Sequence, residues 1–68
     1  MQYFSPAAFK AFRTSAGYTQ RSLADSIGTT EQHVQMWEYG KNIPTATYLL
    51  RAMVLLDCSA QDLLATKN

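Results

Sequence analysis

The sequence EQHVQM, which begins at Glu31, holds the polar side chains best suited to recognition chemistry. Gln32 and Gln35 each present a hydrogen-bond donor and an acceptor on one planar amide, and Glu31 adds an acceptor carboxylate. These groups bind hydrogen-bonding edges and are not nucleophiles. The chain has one histidine, His33, and one cysteine, Cys58, and no nucleophile, base and acid fall at workable spacing. We therefore expect no enzyme activity, no metal site and no cofactor.

Length and composition restrict the class of protein. The 68 residues form one expected domain, residues 1–68, whose core is too small to enclose a sizeable pocket, so no small-molecule ligand is expected. With 47% hydrophobic and 16% charged residues, the chain is expected to fold. The net charge of +1 does not by itself indicate nucleic acid, so any such function must follow from the placement of the charges.

Targeting signals and cysteine usage indicate the compartment. No stretch is long and apolar enough to span a bilayer, and the N-terminus lacks the layout of a secretory signal. A single cysteine cannot close an intrachain disulfide, so Cys58 is expected to be a small, half-buried core thiol in a reducing setting. We therefore expect a soluble, cytoplasmic protein.

Capping residues and glycines divide the first 40 residues into three short helices. A side-chain oxygen ahead of an apolar run caps free backbone N–H groups, and a glycine adopts the left-handed conformation that ends a helix. The expected start signals are Ser5 with Pro6, Thr19, and Thr29 or Thr30, and the expected end signals are Gly17, Gly28 and Gly40. The first helix is thus expected over about Pro6 to Ala16.

Two further helices are expected in the C-terminal part of the chain. Thr45 offers a cap for a fourth helix, whose inward face is traced by Leu49, Ala52, Met53 and Leu56. Ser59 is expected to cap a short fifth helix that carries Leu63 and Leu64. No window alternates apolar and polar residues between turn signals, so no strand is expected. Residues 66–68 are expected to be a loose end.

Residues 20–39, QRSLADSIGTTEQHVQMWEY, meet several independent requirements of two helices joined by a tight turn. The predicted second and third helices are separated by about three residues. Ala24 is small where the two helices must approach closely, and Gly28 lies where the turn needs a positive φ. The residues expected to face the core or form the turn are Leu23, Ala24, Ile27, Gly28, Val34 and Trp37. This combination predicts a helix-turn-helix.

The segment from Phe9 to Leu64 resembles the helix-turn-helix domain of the lambda Cro and C1 repressors, also called the XRE family. The resemblance rests on FRTSAGYTQRSLADSIGTT, WEYGKNIPT and LLRAMVLLDCSAQDLL. It implies an all-α, five-helix bundle that places its third helix in the DNA major groove and binds a palindromic operator as a homodimer. It also implies contact between Arg13 and Glu38, which would brace the third helix. The alternative is an ordinary solvated pair, which contributes little.

The outward face of the third helix is expected to contact bases. A step of roughly 100° per residue places Gln32, Met36 and Tyr39 opposite the core face, with Gln35 beside them. The resemblance adds Glu31. The expected base contacts are Glu31, Gln32, Gln35 and Met36. Gln pairs with adenine, Glu accepts from cytosine and Met lies against a thymine methyl group. The alternative is a solvated helix face, with His33 as a surface residue on its flank.

Phosphate contacts are expected from the N-terminus of the second helix and from the region after the third. Free backbone N–H groups at a helix N-terminus attract anions. The expected phosphate contacts are Gln20, Arg21, Arg13, Tyr39, Lys41 and Asn42. Lys10 and Arg51 are expected to be solvated surface charges.

We expect a sequence-specific transcriptional regulator, a Cro/C1-type repressor that binds double-stranded DNA. The alternative is a protein-binding adaptor or antitoxin-like module that keeps the fold with weak DNA affinity, which the low net charge and Glu31 favour. The expected dimer contact is the C-terminal part of the chain, where one subunit is not expected to bury all of Leu55, Leu56, Cys58, Leu63 and Leu64. Tyr3 and Phe4 are expected to pack on the bundle, with a second contact between subunits at residues 1–4 as the alternative.

Overall fold

The computed structural model describes residues 2–66, which form four α-helices and a two-stranded sheet. The helices are α1 (Pro6–Ser15), α2 (Gln20–Ile27), α3 (Glu31–Tyr39) and α4 (Ala46–Leu56). The strands are β1 (Gln2–Phe4) and β2 (Leu64–Thr66), and a short 3₁₀ helix, Gln61–Leu63, precedes β2. The helical helix-turn-helix architecture expected from the sequence is confirmed, whereas the number of helices is not. None of the helices in this range is long and apolar enough to cross a membrane.

Side-chain oxygens cap the first three helices at positions that the sequence predicts. Ser5 Oγ accepts a backbone N–H of α1 at 3.1 Å, and Thr30 Oγ1 accepts one of α3 at 3.2 Å. At α2 the capping is reciprocal, because the N–H of Ser22 donates to Thr19 Oγ1 at 3.0 Å while the N–H of Thr19 donates to Ser22 Oγ at 2.9 Å. Thr45 holds the corresponding position of α4 without such a hydrogen bond.

The core lies where all four helices meet. Its buried hydrophobic residues are Phe9, Leu23, Ala24, Ile27, Val34, Trp37, Ala52, Leu56 and Leu63. The ring of Trp37 on α3 lies 6.0 Å from that of Phe9 on α1, edge to face, and 6.0 Å from that of Tyr48 on α4. The ring centroids of Phe4 and Phe9 lie 5.8 Å apart, so Phe4 packs on the bundle as predicted. The side chain of Tyr3 is half exposed. Aromatic contacts therefore connect three helices and β1.

The predicted fifth helix is wrong. Ser59 does cap a turn there, since its hydroxyl accepts the N–H of Asp62 at 3.3 Å and its own N–H donates to Asp62 Oδ2 at 2.9 Å. The 3₁₀ helix ends at the buried Leu63, and the chain continues from Leu64 as an extended strand. A helix of so few residues forms too few hydrogen bonds to offset the backbone entropy that it loses. The strand finds its hydrogen-bond partners on β1 instead.

The expectation that the chain has no strand is also wrong. β1 and β2 pair antiparallel, with Gln2 opposite Thr66 and Phe4 opposite Leu64. Each strand has three residues, and the two come from opposite ends of the chain, so no local alternation marks either of them. Thr66, expected in a loose end, is paired. The rest of that predicted end, residues 67 and 68, lies outside the described residues, as does Met1 of the alternative N-terminal contact.

Cys58 is half-buried just after α4, as the sequence predicts. Burial raises the pKa of its thiol above the ordinary value, and the nearby carboxylates of Asp62 and Asp57 raise this pKa further. The thiol is therefore protonated at neutral pH and packs as a small apolar group.

Replacement of Leu63 tests whether the segment before β2 is part of the core. We expect Leu63→Ala to lower the free energy of unfolding by about 2–5 kcal/mol, because Leu63 is 1% exposed and its loss leaves a cavity. Ile43→Ala removes the same number of carbon atoms from a side chain that is 67% exposed and should cost less than about 0.5 kcal/mol. Urea denaturation followed by circular dichroism measures both. Equal losses would contradict the core position of Leu63.

Candidate nucleic-acid interface

A turn of three residues, 28–30, joins α2 to α3. Gly28 has φ +84°, and its N–H and that of Thr29 both donate to the Ala24 carbonyl oxygen at 2.9 Å. A side chain at position 28 would be strained in this left-handed conformation, and its Cβ would lie 3.3 Å from Nη1 of Arg51. Gly28 therefore allows the abrupt change of direction that sets α3 across α2.

The inner faces of α2 and α3 pack directly on each other. Leu23, Ala24 and Ile27 of α2 and Val34 and Trp37 of α3 are all buried. Because Ala24 is small and fully buried, the two helices can approach closely at the point where they cross. This packing fixes which side of α3 turns inward.

A buried ion pair joins the ends of α1 and α3. Arg13 Nε donates to Glu38 Oε2 at 2.6 Å, and Arg13 Nη2 donates to Glu38 Oε1 at 3.1 Å. Arg13 Nη1 donates to the Tyr18 carbonyl oxygen at 2.8 Å, and Gln20 Nε2 donates to Glu38 Oε1 at 3.1 Å. The side chains of Arg13 and Glu38 are only 8% and 4% exposed, so the alternative of a solvated surface pair does not fit. The network links α1, α2 and α3 through one carboxylate.

The same network limits which N–H groups of Arg13 and Gln20 can bind a phosphate. Arg13 is buried, and its Nε, Nη1 and Nη2 atoms all have protein partners. Arg13 therefore braces the helices, and its burial leaves little of the guanidinium accessible for the predicted phosphate contact. Gln20 is half-buried with its amide nitrogen on Glu38. The backbone N–H groups of Gln20 and Arg21 have no partner among the described residues, because Thr19 caps only Ser22.

The outer face of α3 is polar and accessible. Glu31 and Gln32 are exposed in the first turn, and Tyr39 at the last position is 80% exposed. Gln35 and Met36 are half-buried. Arg21, Lys41 and Asn42 are exposed on either side of α3 in the sequence. The predicted base-contact residues thus lie on one short helix, between two predicted phosphate-contact regions.

His33 lies on the flank of α3 and is exposed. Its Nδ1 lies 2.6 Å from the Thr29 hydroxyl oxygen, and its ring stacks on Trp37 with a centroid distance of 6.3 Å. A shallow hollow of about 160 Å³ opens beside it, lined by His33, Trp37, Asn42, Ile43, Thr45 and Tyr48. No group of three metal-ligating side chains exists among residues 2–66. His33 is therefore held by its neighbours on the helix flank.

Two contacts are missing from the sequence-based prediction. Arg51, expected to be a solvated charge, donates Nη1 to the Ile27 carbonyl oxygen at 3.0 Å and so ties α4 to the end of α2. The hydrogen bond from Gln20 to Glu38 was likewise not anticipated. A basic residue near a helix C-terminus is a general signal for carbonyl capping, but residues from separate helices meet only once the helices are packed.

Comparison with known proteins assigns the family. The model of the helix-turn-helix family matches residues 9–63, which is most of the chain. The chain belongs to the helix-turn-helix family. Its Cro/C1 type, which the sequence motifs indicate, is confirmed. No curated protein sequence matches this helix-turn-helix protein.

Two solved structures share the fold. The P22 c2 repressor protein, solved in complex with a synthetic operator, has 23% sequence identity and a TM-score of 0.77, covering 84% of this chain and 86% of that one. The restriction-modification controller protein C.AhdI from Aeromonas hydrophila has 24% identity and a TM-score of 0.76, covering 85% of this chain and 88% of that one. At this level of identity, the likeness establishes the fold of this helix-turn-helix protein.

A double-mutant cycle tests the bracing of α3. We expect Arg13→Ala and Glu38→Ala each to cost about 3–5 kcal/mol, because each leaves a buried charge without its partner. The double variant should lose less than the sum of these costs, with a coupling energy of about 1–3 kcal/mol. As a matched control, Arg13→Ala combined with Glu31→Ala on the exposed side of α3 should be additive. Additivity in the Arg13 and Glu38 cycle would rule out the brace.

Proposed function

We propose that this helix-turn-helix protein is a repressor that places α3 in the major groove of operator DNA and reads base edges there. The family match makes it a DNA-binding transcriptional regulator. The observation that carries the finer proposal is the braced α3, whose inner side is buried in the core while its outer side presents the hydrogen-bonding groups of Glu31, Gln32 and Gln35. Side chains held in this way reach base edges in a fixed register. The P22 c2 repressor, which shares the fold, was solved on an operator.

The exposed first turn of α3 is the centre of the proposed base readout. Gln32 has the best position, since its amide is exposed and is suited to bidentate pairing with adenine. Glu31 is suited to the cytosine amino group, and its place in the first turn of α3 is favourable for a negative charge. Gln35 and Met36, which are half-buried, contribute from the next turn through their exposed parts.

Phosphate contacts on both sides of α3 hold the domain in this register. The exposed Arg21 and the free N–H groups at the start of α2 form one proposed anchor. Lys41 and Asn42, exposed directly after α3, form the other, with the hydroxyl of Tyr39 beside them. Such contacts position a protein on the duplex without reading its sequence.

The charge distribution is compatible with weak binding by one domain. The only acidic residues of α3 are Glu31 and Glu38, and Glu38 is neutralised by Arg13. Glu31 remains as an exposed negative charge near a polyanion, while α3 itself contains no Lys or Arg. We therefore propose that two domains bind two half-sites as a homodimer, because linked binding raises affinity without new contacts. Half-sites in a palindrome would then lie about 10 base pairs apart.

A second candidate function is a protein-binding adaptor that keeps the fold. The exposed Glu31 and the net charge of +1 are the observations that favour it. In that case α3 would bind a protein partner through the same outward face, and DNA affinity would be residual.

Salt dependence distinguishes the two functions. For a DNA-binding regulator, we expect the logarithm of the association constant to fall with the logarithm of salt concentration, with a slope of about −0.9 for each phosphate contacted. Fluorescence anisotropy with duplexes selected from a random library measures this slope. If the protein binds none of the duplexes even at low ionic strength, the adaptor function is favoured.

Variants of single side chains separate readout from anchoring. We expect Gln32→Ala to lose about 1–3 kcal/mol of discrimination at one base pair, while other positions of the selected consensus stay unchanged. Lys41→Ala should weaken binding to all duplexes alike and reduce the salt slope by about 1. Gln61→Ala is the matched control, because Gln61 is an exposed glutamine outside α2 and α3. A consensus unchanged by Gln32→Ala would contradict the assigned readout.

A further inference from the structure

The outer face of α4 is an exposed apolar surface. Leu50 is 59% exposed and Val54 is 80% exposed, although both belong to a helix whose opposite side is in the core. They are four residues apart, so they lie on the same side of the helix. Large apolar side chains that are grouped in this way on a small domain mark an interaction surface.

Two of the side chains expected from the sequence at a dimer contact are not part of this surface. Leu56 and Leu63 are buried in the core, 5% and 1% exposed, and Leu55, Cys58 and Leu64 are partly buried. Leu56 and Leu63 are therefore not available for a contact between subunits, whereas Leu55, Cys58 and Leu64 are not fully buried within one chain. Amphipathic periodicity identified an apolar helix here, but it did not show which of its apolar residues the small core would leave outside.

We propose that the face of α4 centred on Val54 binds a second copy of this chain, with the two α4 helices antiparallel about a two-fold axis at Val54. This inference rests on the proposed function for the role of the dimer, which is to join two DNA-reading units. In an antiparallel pair, residues at equal distances before and after the centre lie at the same level along the two helices. Leu50 then lies near the C-terminal end of the partner's α4, beside the apolar contact at Val54.

Charge complementarity selects a second copy in this orientation. Arg51 lies three residues before Val54 and Asp57 three residues after it, and both are exposed. The antiparallel pair brings each Arg51 to the level of the Asp57 of the other copy, within reach of the long arginine side chain. A parallel pair would instead bring like charges together, which is costly at an interface. The Asp57 carboxylate has no partner among residues 2–66, and Arg51 uses only Nη1, on Ile27.

The surface beside Val54 is recessed. A hollow of about 260 Å³ lies there, lined by Ser26, Arg51, Val54 and Leu55. With the two-fold axis at Val54, this side chain meets its own copy, and each copy contributes one hollow beside the axis. The hollows leave room there for side chains of the facing copy.

Cross-linking tests the position of the axis. In a Cys58→Ser background, we expect Val54→Cys to form a disulfide-linked dimer under mild oxidation, because facing Cα atoms of packed helices lie about 5 Å apart. Leu50→Cys in the same background is the matched control. Its two copies would lie about 12 Å apart along the helix axes, so it should stay monomeric under denaturing electrophoresis. Cross-linking of Leu50→Cys without that of Val54→Cys would overturn the proposed axis.

Sedimentation equilibrium tests the surface itself. We expect the unmodified chain to dimerise reversibly and Val54→Glu to raise the dissociation constant of the dimer more than tenfold, because two like charges would meet at the axis. Ile43→Glu, which places the same charge on an exposed apolar residue off this face, should leave the constant unchanged. Circular dichroism establishes that both variants fold. A chain that is monomeric at all concentrations, or equal effects of the two variants, would overturn the inference.

DNA binding separates this inference from the proposed function. The Val54→Glu variant should still bind a duplex that contains one half-site at low ionic strength, because α3 is unchanged. It should lose the additional affinity for a duplex with two half-sites. If the unmodified chain is monomeric but binds a half-site, the inference fails while the proposed reading of bases by α3 stands. If the chain dimerises through Val54 but binds no duplex, the proposed function fails instead.

Discussion

The buried carboxylate of Glu38 is the constraint on which the arrangement of the three N-terminal helices depends. A carboxylate that is 4% exposed is stable only with partners that replace water, and here Arg13 and Gln20 supply them. The partners belong to α1 and to the first position of α2, so satisfying one charge at the end of α3 fixes three helices relative to one another. Withdrawing a partner leaves an uncompensated buried charge, and α3 cannot shift without that cost.

Apolar packing and the polar network have different tasks in this fold. Burial of Leu23, Val34 and Trp37 supplies the driving force for α2 and α3 to associate, but the hydrophobic effect is not directional. The hydrogen bonds at Glu38 and the left-handed turn at Gly28 are directional and select one arrangement. The outward direction of Gln32 follows from this selection. A helix that reads an external surface needs such rigidity, because small displacements misalign its hydrogen bonds.

The distribution of charge explains how a nearly neutral chain can act on a polyanion. Within residues 2–66 the one buried cation is Arg13, and its charge is compensated by Glu38. The exposed cations Arg21 and Lys41 lie before and after α3, where phosphates are expected, and α3 itself has none. Affinity from one domain would then be modest, and the proposed pairing through the exposed face of α4 would supply the remainder. A small core, which leaves Leu50 and Val54 outside, makes that face available.

The sequence by itself determined the features that depend on local chemistry. Ser5, Thr19 and Thr30 cap their helices because a side-chain oxygen satisfies nearby N–H groups, and periodicity places Val34 and Trp37 inward. These signals, with the motif between α2 and α3, were sufficient for the helix-turn-helix and for its family. The family pattern also indicated that Arg13 and Glu38 touch, although not that the pair is buried.

Tertiary structure decided the features that depend on distant partners. The β1–β2 pair joins the two ends of the described chain, so neither strand carries a local signal, and Leu64 extends because β1 is there to pair with it. The packing of the helices brings Arg51 to the Ile27 carbonyl oxygen. It also decides that Leu56 and Leu63 are buried while Leu50 and Val54 stay exposed. Spacing along a chain fixes which residues share a helix face, whereas only the packed fold fixes what that face meets.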